Sequence, residues 1–248
     1  MRLITIPLSH YCERARWALD RAGLAYREEQ HLQCFHWPYV LWHGGRRTVP
    51  LLLAERATLR DSADIVRYAD ARCADEQRKV YPRAERERRE VESLERDFAE
   101  NLGVATRLLL YFHFFNWGFN ALPINDGDAP TWEQLALRAL YYPMRTMMGR
   151  YVGIDAESLQ QSRDTIERAL DDVAARLDDG RPYLCGDRFS AADMTFASML
   201  AILVLPEQYG VQLPRESDFP EAAQVDIRRA RAHPAGQYAL RVYAAERR

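Results

Sequence analysis

The chain has 248 residues, 48% of them hydrophobic and 28% charged, a composition typical of a globular protein with one large domain or two ordinary ones. Its formal net charge of −2 provides no basic surface, so we expect no nucleic-acid partner. The sequence has no apolar run of about 18 residues and no signal-peptide pattern, so we expect a cytoplasmic protein with no membrane partner and with reduced thiols at Cys12, Cys34, Cys73 and Cys185.

The first thirty residues follow a strand, helix, strand pattern. Residues 3–6 are a short apolar strand that Pro7 ends, because proline has no N–H to donate. Apolar residues then recur with a helical period over residues 12–22, and Gly23 closes the helix. Ser9 stands where an N-cap belongs, and a helix N-terminus is suited to hold an anion or a thiolate. Residues 24–28 are predicted to form a second strand, parallel to the first.

The next part of the sequence completes a small mixed sheet. Residues 30–45 are predicted to be irregular, and residues 49–53 and 57–59 to form a hairpin. Residues 62–73 are predicted to form a helix that Asp61 precedes. The order predicts an α/β domain with a mixed four-stranded sheet.

The remainder of the chain is predicted to be all-helical. Residues 75–89 are rich in charge, and an amphipathic helix follows them. We predict a loop over 122–131, one helix over 132–148 kinked at Pro143, and a helix that ends at Gly180. Ser190 and Asp193 have capping-box spacing before an apolar helix that stops at Pro206. Further helices are predicted over 221–232 and 237–245.

Four motifs together resemble the cytosolic glutathione S-transferase (GST) family. They are the Ser9 loop, Thr-Val-Pro-Leu-Leu at 48–52, the acidic-Ser pair at 61–62, and Tyr-Leu-Cys-Gly-Asp at 183–187 before the Ser-x-x-Asp box. The resemblance implies a bacterial-type member with serine in its active-site loop. It implies a thioredoxin-like domain at 1–75, a linker at 76–88 and an all-helical domain at 89–248. It also implies glutathione as co-substrate, a homodimer, a role in detoxification, and no metal.

The resemblance assigns a glutathione site to five residues. Val49 would offer its backbone through a cis bond to Pro50, and Asp61 with Ser62 would hold the γ-glutamyl ammonium and carboxylate. Arg47 would hold the glycine carboxylate with its planar guanidinium.

Ser9 is the predicted catalytic residue, and its hydroxyl would stabilise the glutathione thiolate. Three neighbours remain open alternatives for the group that meets the sulfur. Tyr11 could donate instead, and His10 could act as a base, although a solvated loop histidine is the simpler interpretation. Cys12 takes the second position of a Cys-x-x-Cys pattern whose first position is Ser9, which excludes a dithiol mechanism and leaves a monothiol one open.

Two further groups of residues invite a functional interpretation. Tyr11, Tyr111 and Phe115 are candidates to line an apolar site for a hydrophobic electrophile. The second group has three residues of metal-ligand type within a short span, namely His31, Cys34 and His36. No fourth ligand is fixed by spacing, so we favour no metal at this place.

The sequence thus predicts a glutathione transferase that conjugates or reduces a small hydrophobic electrophile. A GST-like binding or scaffold protein without turnover is the second hypothesis, because a fold does not fix a function. A monothiol reductase that uses Cys12 is the third.

Overall fold

A mixed four-stranded sheet in the order β2-β1-β3-β4 forms the first part of the chain, as predicted. Its strands are β1 (Arg2–Thr5), β2 (Arg27–Gln30), β3 (Leu51–Ala54) and β4 (Ala57–Leu59). β1 is parallel to β2 and antiparallel to β3, and β3 and β4 form the predicted hairpin. The structure is a computed structural model that describes residues 1–247, without the side chains of residues 124, 125, 151 and 152. Residue 248, the last of the predicted helical domain, lies outside the described residues.

Three helices accompany the sheet. They are α1 (His10–Arg21), α2 (His36–Trp42) and α3 (Ser62–Arg72), and α1 packs on α3. Residues 30–45 are therefore not all irregular, as we had predicted, because α2 lies among them. The buried Val40 joins Ile4 and Leu51 in one apolar cluster. Burial of that side chain explains why this short segment is helical against the sheet.

The rest of the chain is helical, which confirms a thioredoxin-like domain followed by a helical domain. A π-helical turn at Phe98–Leu102 joins the first two of these helices. The helices are α4 (Glu85–Asp97), α5 (Gly103–Trp117), α6 (Leu122–Asn125), α7 (Thr131–Ala139), α8 (Tyr141–Val152), α9 (Ala156–Leu177), α10 (Ala191–Val204), α11 (Glu221–Ala232) and α12 (Pro234–Glu246).

The segment around Pro143 differs from the sequence prediction. In place of one kinked helix over 132–148, α7 ends at Ala139 and α8 begins at Tyr141. Pro143 therefore lies in the first turn of α8, where a helix needs no N–H from it. The predicted loop over 122–131 also contains the short α6.

The chain forms two compact units that are not continuous in sequence. The first contains residues 1–79, 119–144 and 210–212, and the second contains residues 80–118, 145–209 and 213–248. Residues 119–144 thus cluster with the sheet, and we call them the returning segment. It contributes four members to an apolar cluster of the first unit, whose buried residues are Leu32, Leu122, Ala129, Leu137 and Tyr141.

The second unit is built around α10, whose residues are all buried. Ser190 and Asp193 form the predicted capping box, with the Ser190 N–H donating to Asp193 Oδ2 at 2.7 Å. Asp193 also accepts from the Leu184 N–H at 2.8 Å and from the Tyr238 hydroxyl, so this buried carboxylate is well satisfied. No helix within the described part of the chain is long and apolar enough to span a membrane.

Candidate functional site

Four chain segments share one edge of the sheet because of the directions of its strands. β1 and β2 are parallel and both end there, where Thr5 pairs with Gln30. β3 is antiparallel to β1, so its first residue, Leu51, pairs with Ile4 near the end of β1. β4 is antiparallel to β3 and ends at Leu59 beside the start of β3. We call this the site edge, and the segments after β1, after β2, before β3 and after β4 all lie on it.

Ser9 lies at the site edge and caps α1, as predicted. Its Oγ accepts a hydrogen bond from the Cys12 N–H at 3.4 Å, and its own N–H donates to the Ile6 carbonyl at 3.2 Å. The Ser9 side chain is half-buried, and a hydroxyl that accepts one bond still has a proton to donate. The residue therefore presents a donor at a helix N-terminus.

The two residues after Ser9 differ in their surroundings. His10 is only 2% exposed, so the prediction of a solvated loop histidine is wrong. It is the first residue of α1, and its ring lies 4.5 Å from the ring of the half-buried Tyr11. Tyr11 is the more accessible of the two and remains a candidate donor at this edge.

Cys12 is fully buried, which argues against the monothiol hypothesis. Burial raises the pKa of its thiol to about 11, although the nearby Arg16 guanidinium and the Ser9 hydroxyl act in the opposite direction. The nucleophile in thiol chemistry is the thiolate, which this environment disfavours at neutral pH. Cys12 is best described as a core residue under the Ser9 loop.

The residues expected to hold the γ-glutamyl end and the peptide backbone lie on two other segments of the edge. The Val49–Pro50 bond is cis, as the resemblance implied, and it comes directly before β3. Asp61 caps α3 by accepting from the Ala63 N–H at 2.7 Å. Its side chain is 67% exposed, so a ligand can reach the remaining carboxylate lone pairs.

Ser62 is at the expected place, but its hydroxyl points into the protein. The residue is 2% exposed, and its Oγ accepts from Arg14 Nε at 3.1 Å and also from a terminal nitrogen of Arg14. Arg14 is itself 1% exposed and lies 3.7 Å from Asp61 Oδ1. The Ser62 hydroxyl thus accepts from Arg14, and its expected contact with a ligand carboxylate stays a prediction. The Ser62 backbone N–H at the first turn of α3 still fits an anion.

Sequence reasoning missed Arg14, although one signal could have found it. Arg14 is one turn before Ala18, a member of the apolar stripe of α1. A charged side chain on a buried face needs a partner, because an unpaired buried charge is strongly destabilising. An arginine at this position therefore predicts a hydrogen-bond acceptor on a neighbouring element, and the structure shows that Ser62 of α3 is that acceptor.

Arg47 is exposed on the segment before β3, and the α2 region supports it. Its guanidinium lies 5.2 Å from the centre of the Trp37 ring. Its carbonyl oxygen lies 3.3 Å from His36 Nε2, and His36 Nδ1 lies 3.4 Å from the Leu32 carbonyl. Burial lowers the pKa of His36, so the neutral imidazole is favoured.

The three residues of metal-ligand type are engaged with the protein or half-buried. His31 Nδ1 lies 2.6 Å from Glu133 Oε1, and His36 contacts two carbonyl groups. Cys34 is half-buried with a positive φ of 71°, and burial raises the pKa of its thiol to about 11. Across the described residues, no group of three or more His, Cys, Asp or Glu side chains could hold a metal ion.

The candidates for a hydrophobic site fall in different units. Tyr11 belongs to the first unit, whereas Tyr111 and Phe115 belong to the second. The latter two lie one turn apart on α5 with stacked rings 5.7 Å apart, and both are half-buried. Arg145 Nε donates to the Phe115 carbonyl at 3.0 Å, which fixes this end of α5. The two half-buried rings form one aromatic face of α5.

Residues 3–77 match the family model of the glutathione S-transferase N-terminal domain, and residues 156–231 match that of the C-terminal domain. The chain belongs to the glutathione S-transferase family. It is accordingly a GST-like enzyme, and membership supports glutathione transferase activity in general. Residues 78–155, which include the returning segment, lie between the two matched regions.

Solved structures, among them glutathione S-transferases, share this fold over nearly the whole chain. A glutathione S-transferase from Sinorhizobium meliloti is 20% identical with a TM-score of 0.59, covering 98% of this chain and 97% of that one. A theta-class enzyme from Xanthomonas axonopodis pv. citri, solved with glutathione bound, is 20% identical with a TM-score of 0.53, covering 96% of each chain. The β-etherase LigF from a Sphingobium strain is 14% identical with a TM-score of 0.61, covering 97% of this chain and 98% of that one. No curated protein sequence matches this chain significantly.

Proposed function

We propose that this protein binds glutathione at the site edge and uses its thiolate to conjugate or reduce a small hydrophobic electrophile. The convergence of the predicted residues on one edge of one compact unit carries the proposal. Ser9 caps α1 after β1, the cis Val49–Pro50 bond stands before β3, and Asp61 caps α3 after β4. A tripeptide thiol has a sulfur, a peptide backbone and an ammonium–carboxylate end. The sulfur suits Ser9, the peptide backbone suits the cis Val49–Pro50 bond, and the ammonium–carboxylate end suits Asp61 at the start of α3.

Each group of glutathione has a proposed partner. Val49 offers its backbone N–H and C=O to the peptide, and Asp61 offers a negative charge to the ammonium. The first turn of α3 offers N–H donors to the γ-glutamyl carboxylate, and Ser62 contributes its backbone there. Arg47 binds the glycine carboxylate.

Ser9 stabilises the thiolate in this proposal, and the magnitudes are sufficient. A free thiol has a pKa of about 8.5, and lowering it by two units requires about 2.7 kcal/mol. A hydrogen bond to a charged group contributes roughly 1.5–3 kcal/mol, and a helix N-terminus adds about 0.3–1 kcal/mol. One hydroxyl at the start of α1 therefore accounts for the activation without a metal or a general base.

The electrophile is proposed to be apolar, with Tyr11 in the first unit, and separately Tyr111 and Phe115 in the second, as candidates to contact it. We also propose that the protein is cytoplasmic, homodimeric and of the bacterial type with a serine in its active-site loop, with detoxification as its role. These finer points rest on the family resemblance.

Calorimetric titration of glutathione tests the binding site. Asp61→Asn is the informative variant, because asparagine keeps the N-cap and removes only the charge. Asp64→Asn is the matched control, since Asp64 is an exposed carboxylate in the first turn of the same helix. We expect micromolar to low-millimolar binding by the wild type and by Asp64→Asn, and at least tenfold weaker binding by Asp61→Asn. Absence of binding by the wild type would refute the proposal.

A non-catalytic binding protein is the alternative, and one observation favours it. The returning segment exposes several large apolar side chains, with exposed fractions of 54% for Trp132, 63% for Leu135 and 67% for Tyr142. Exposed apolar patches of this kind often mark sites of protein interaction. Glutathione binding without turnover across a broad panel of electrophiles, together with a specific protein partner, would support this alternative.

A further inference from the structure

The returning segment is anchored to the site edge at the ends of β1 and β2. The Asp128 N–H donates to Gln30 Oε1 at 2.9 Å, at the last residue of β2. Gly127 has a positive φ of 48°, and a Cβ there would lie 2.7 Å from Pro7 and 2.6 Å from Gln30 Oε1. Glycine is therefore required for the close approach to the loop that carries Ser9.

Glu133, in the first turn of α7, provides the strongest anchor. Its side chain is fully buried, with Oε1 2.6 Å from His31 Nδ1 and Oε2 accepting from the Leu32 N–H at 2.8 Å. Both carboxylate oxygens are thus bonded to consecutive residues of the segment after β2. A buried carboxylate with two donors on one short segment holds that segment firmly, because moving it would leave the charge unsatisfied.

A chain of contacts runs from Glu133 to Arg47. The Leu32 carbonyl, on the residue whose N–H Glu133 binds, accepts from the His36 N–H at 3.2 Å and lies 3.4 Å from His36 Nδ1. His36 Nε2 lies 3.3 Å from the Arg47 carbonyl. A neutral imidazole has one N–H, so it donates to one of these carbonyls at a time and packs against the other.

α2 is fixed by a second route that starts from the same carboxylate. The ring of His31 stacks on Tyr39 of α2 with a centroid separation of 3.7 Å. Trp37, also on α2, lies under the Arg47 guanidinium at 5.2 Å. Both the backbone carbonyl and the guanidinium of Arg47 therefore contact α2. Glu133 in turn bonds His31 and Leu32, which lead into α2.

We propose that Glu133 is a positioning residue that sets the place of Arg47 for the glycine carboxylate of glutathione. The inference rests on the proposed function and assigns a ligand-binding task to a part of the chain outside both matched family regions. The returning segment then acts as an added support for the segment before β3, which carries Arg47. Without that support, the Arg47 side chain would be more mobile in the free protein, and its immobilisation on binding would lower the affinity for glutathione.

A double-mutant cycle on glutathione affinity tests this role. The variants are Glu133→Gln, which keeps the side-chain volume, Arg47→Ala, and the two combined. We expect Glu133→Gln to raise the glutathione Kd about five- to tenfold, within the range of coupling energies for connected residues. Glu133→Gln should change the Kd little in the Arg47→Ala background, because the arginine that Glu133 positions is then absent. Asp126→Asn is the matched control, since Asp126 pairs with Arg138 inside the returning segment.

The ligand provides an independent check. Glutathione with its glycine carboxylate blocked as an amide should bind wild type and Glu133→Gln with similar affinity, because the group that Arg47 holds is absent. Hydrogen exchange should show faster exchange over residues 32–47 in Glu133→Gln. Should that variant fail to fold, His36→Phe at the next link is expected to give the same non-additivity with Arg47→Ala.

The outcomes separate this inference from the proposed function. Failure of the wild type to bind glutathione would refute the proposed function and the inference with it. Normal wild-type binding with an unchanged Kd in Glu133→Gln would overturn the inference alone. Additive effects of Glu133→Gln and Arg47→Ala on the free energy of glutathione binding would also overturn it. Additivity would mean that Glu133 acts on binding independently of Arg47, for example through the general stability of the protein.

Discussion

Arg14 donates to Ser62 from Nε at 3.1 Å and from a terminal guanidinium nitrogen, so α1 and α3 are tied together in the interior of the first unit. Both side chains are buried, and α1 begins next to its cap Ser9 whereas α3 begins next to its cap Asp61. The pair therefore fixes the two helix N-termini that we assign to the thiolate and to the γ-glutamyl end. Ser62 supports the site mainly through this bond.

Ser62→Ala should destabilise the protein, because the Arg14 guanidinium would lose a buried acceptor. We expect a loss of about 1–3 kcal/mol in the free energy of unfolding, which corresponds to a fall in Tm of a few degrees. Ser198→Ala is the control, since Ser198 is fully buried on α10 and its Oγ has no hydrogen-bond partner among the described residues. Chemical denaturation of both variants gives the comparison. Equal stability of Ser62→Ala and wild type would contradict the structural role of the Arg14–Ser62 bond.

Ser9→Ala should reduce turnover more than ligand binding. We expect kcat/KM for a reactive electrophile to fall more than tenfold, because the thiolate loses its hydroxyl donor. The Kd for S-methylglutathione, which has no ionisable thiol, should stay near the wild-type value. Ser9→Thr keeps a hydroxyl and the helix cap and should retain most activity. Tyr11→Phe should also be active. If Tyr11→Phe were inactive and Ser9→Ala active, Tyr11 rather than Ser9 would be the residue that stabilises the thiolate.

The buried thiol of Cys12 should make stability fall at alkaline pH. Burial raises its pKa in the folded protein to about 11, so at alkaline pH the folded state retains a proton that the unfolded state, with an ordinary thiol pKa, has lost. Stability is then full below pH 9 and declines as the pH rises towards 11, by on the order of 2–3 kcal/mol. Urea denaturation across this range should show a steeper decline for wild type than for Cys12→Ala. Parallel declines would contradict the assignment.

Gly127→Ala should loosen the returning segment. The new methyl group would meet Pro7 and Gln30, and the overpacking is expected to cost about 1–3 kcal/mol beyond the backbone strain. Gly153→Ala is the control for that strain, because Gly153 has a positive φ of 70° and nothing within 4 Å of the added atom. Thermal unfolding and limited proteolysis of the two variants should therefore differ. Similar behaviour of both would show that the contact with Pro7 is unimportant.

Much of the sheet and the capping chemistry was predictable because it depends on local sequence. The bounds predicted for α11 and β4 are those of the structure, and the Ser190–Asp193 capping box formed as its spacing indicated. Ser9 and Asp61 are both helix caps, for the same local reason. Short-range rules suffice where the partner atoms lie within four residues.

Contacts between distant residues could not be predicted in this way. The bond from Glu133 to Leu32 joins positions 101 residues apart, and no periodicity in either segment indicates it. His10 looked like a loop residue because its burial depends on the surrounding fold. Pro143 was predicted to kink one long helix. The helix instead breaks before Tyr141, so Pro143 lies in the first turn of α8, where proline is tolerated.

The pKa of bound glutathione tests the central claim most directly. Titration of the ultraviolet thiolate absorbance of the glutathione complex, with S-methylglutathione as the blank, measures it for wild type and for Ser9→Ala. We predict a thiol pKa about two units below the free value of about 8.5 in the wild-type complex, and a return towards the free value in Ser9→Ala. A bound thiol that titrates like free glutathione in the wild type, or a lowered pKa that survives Ser9→Ala, would contradict the account.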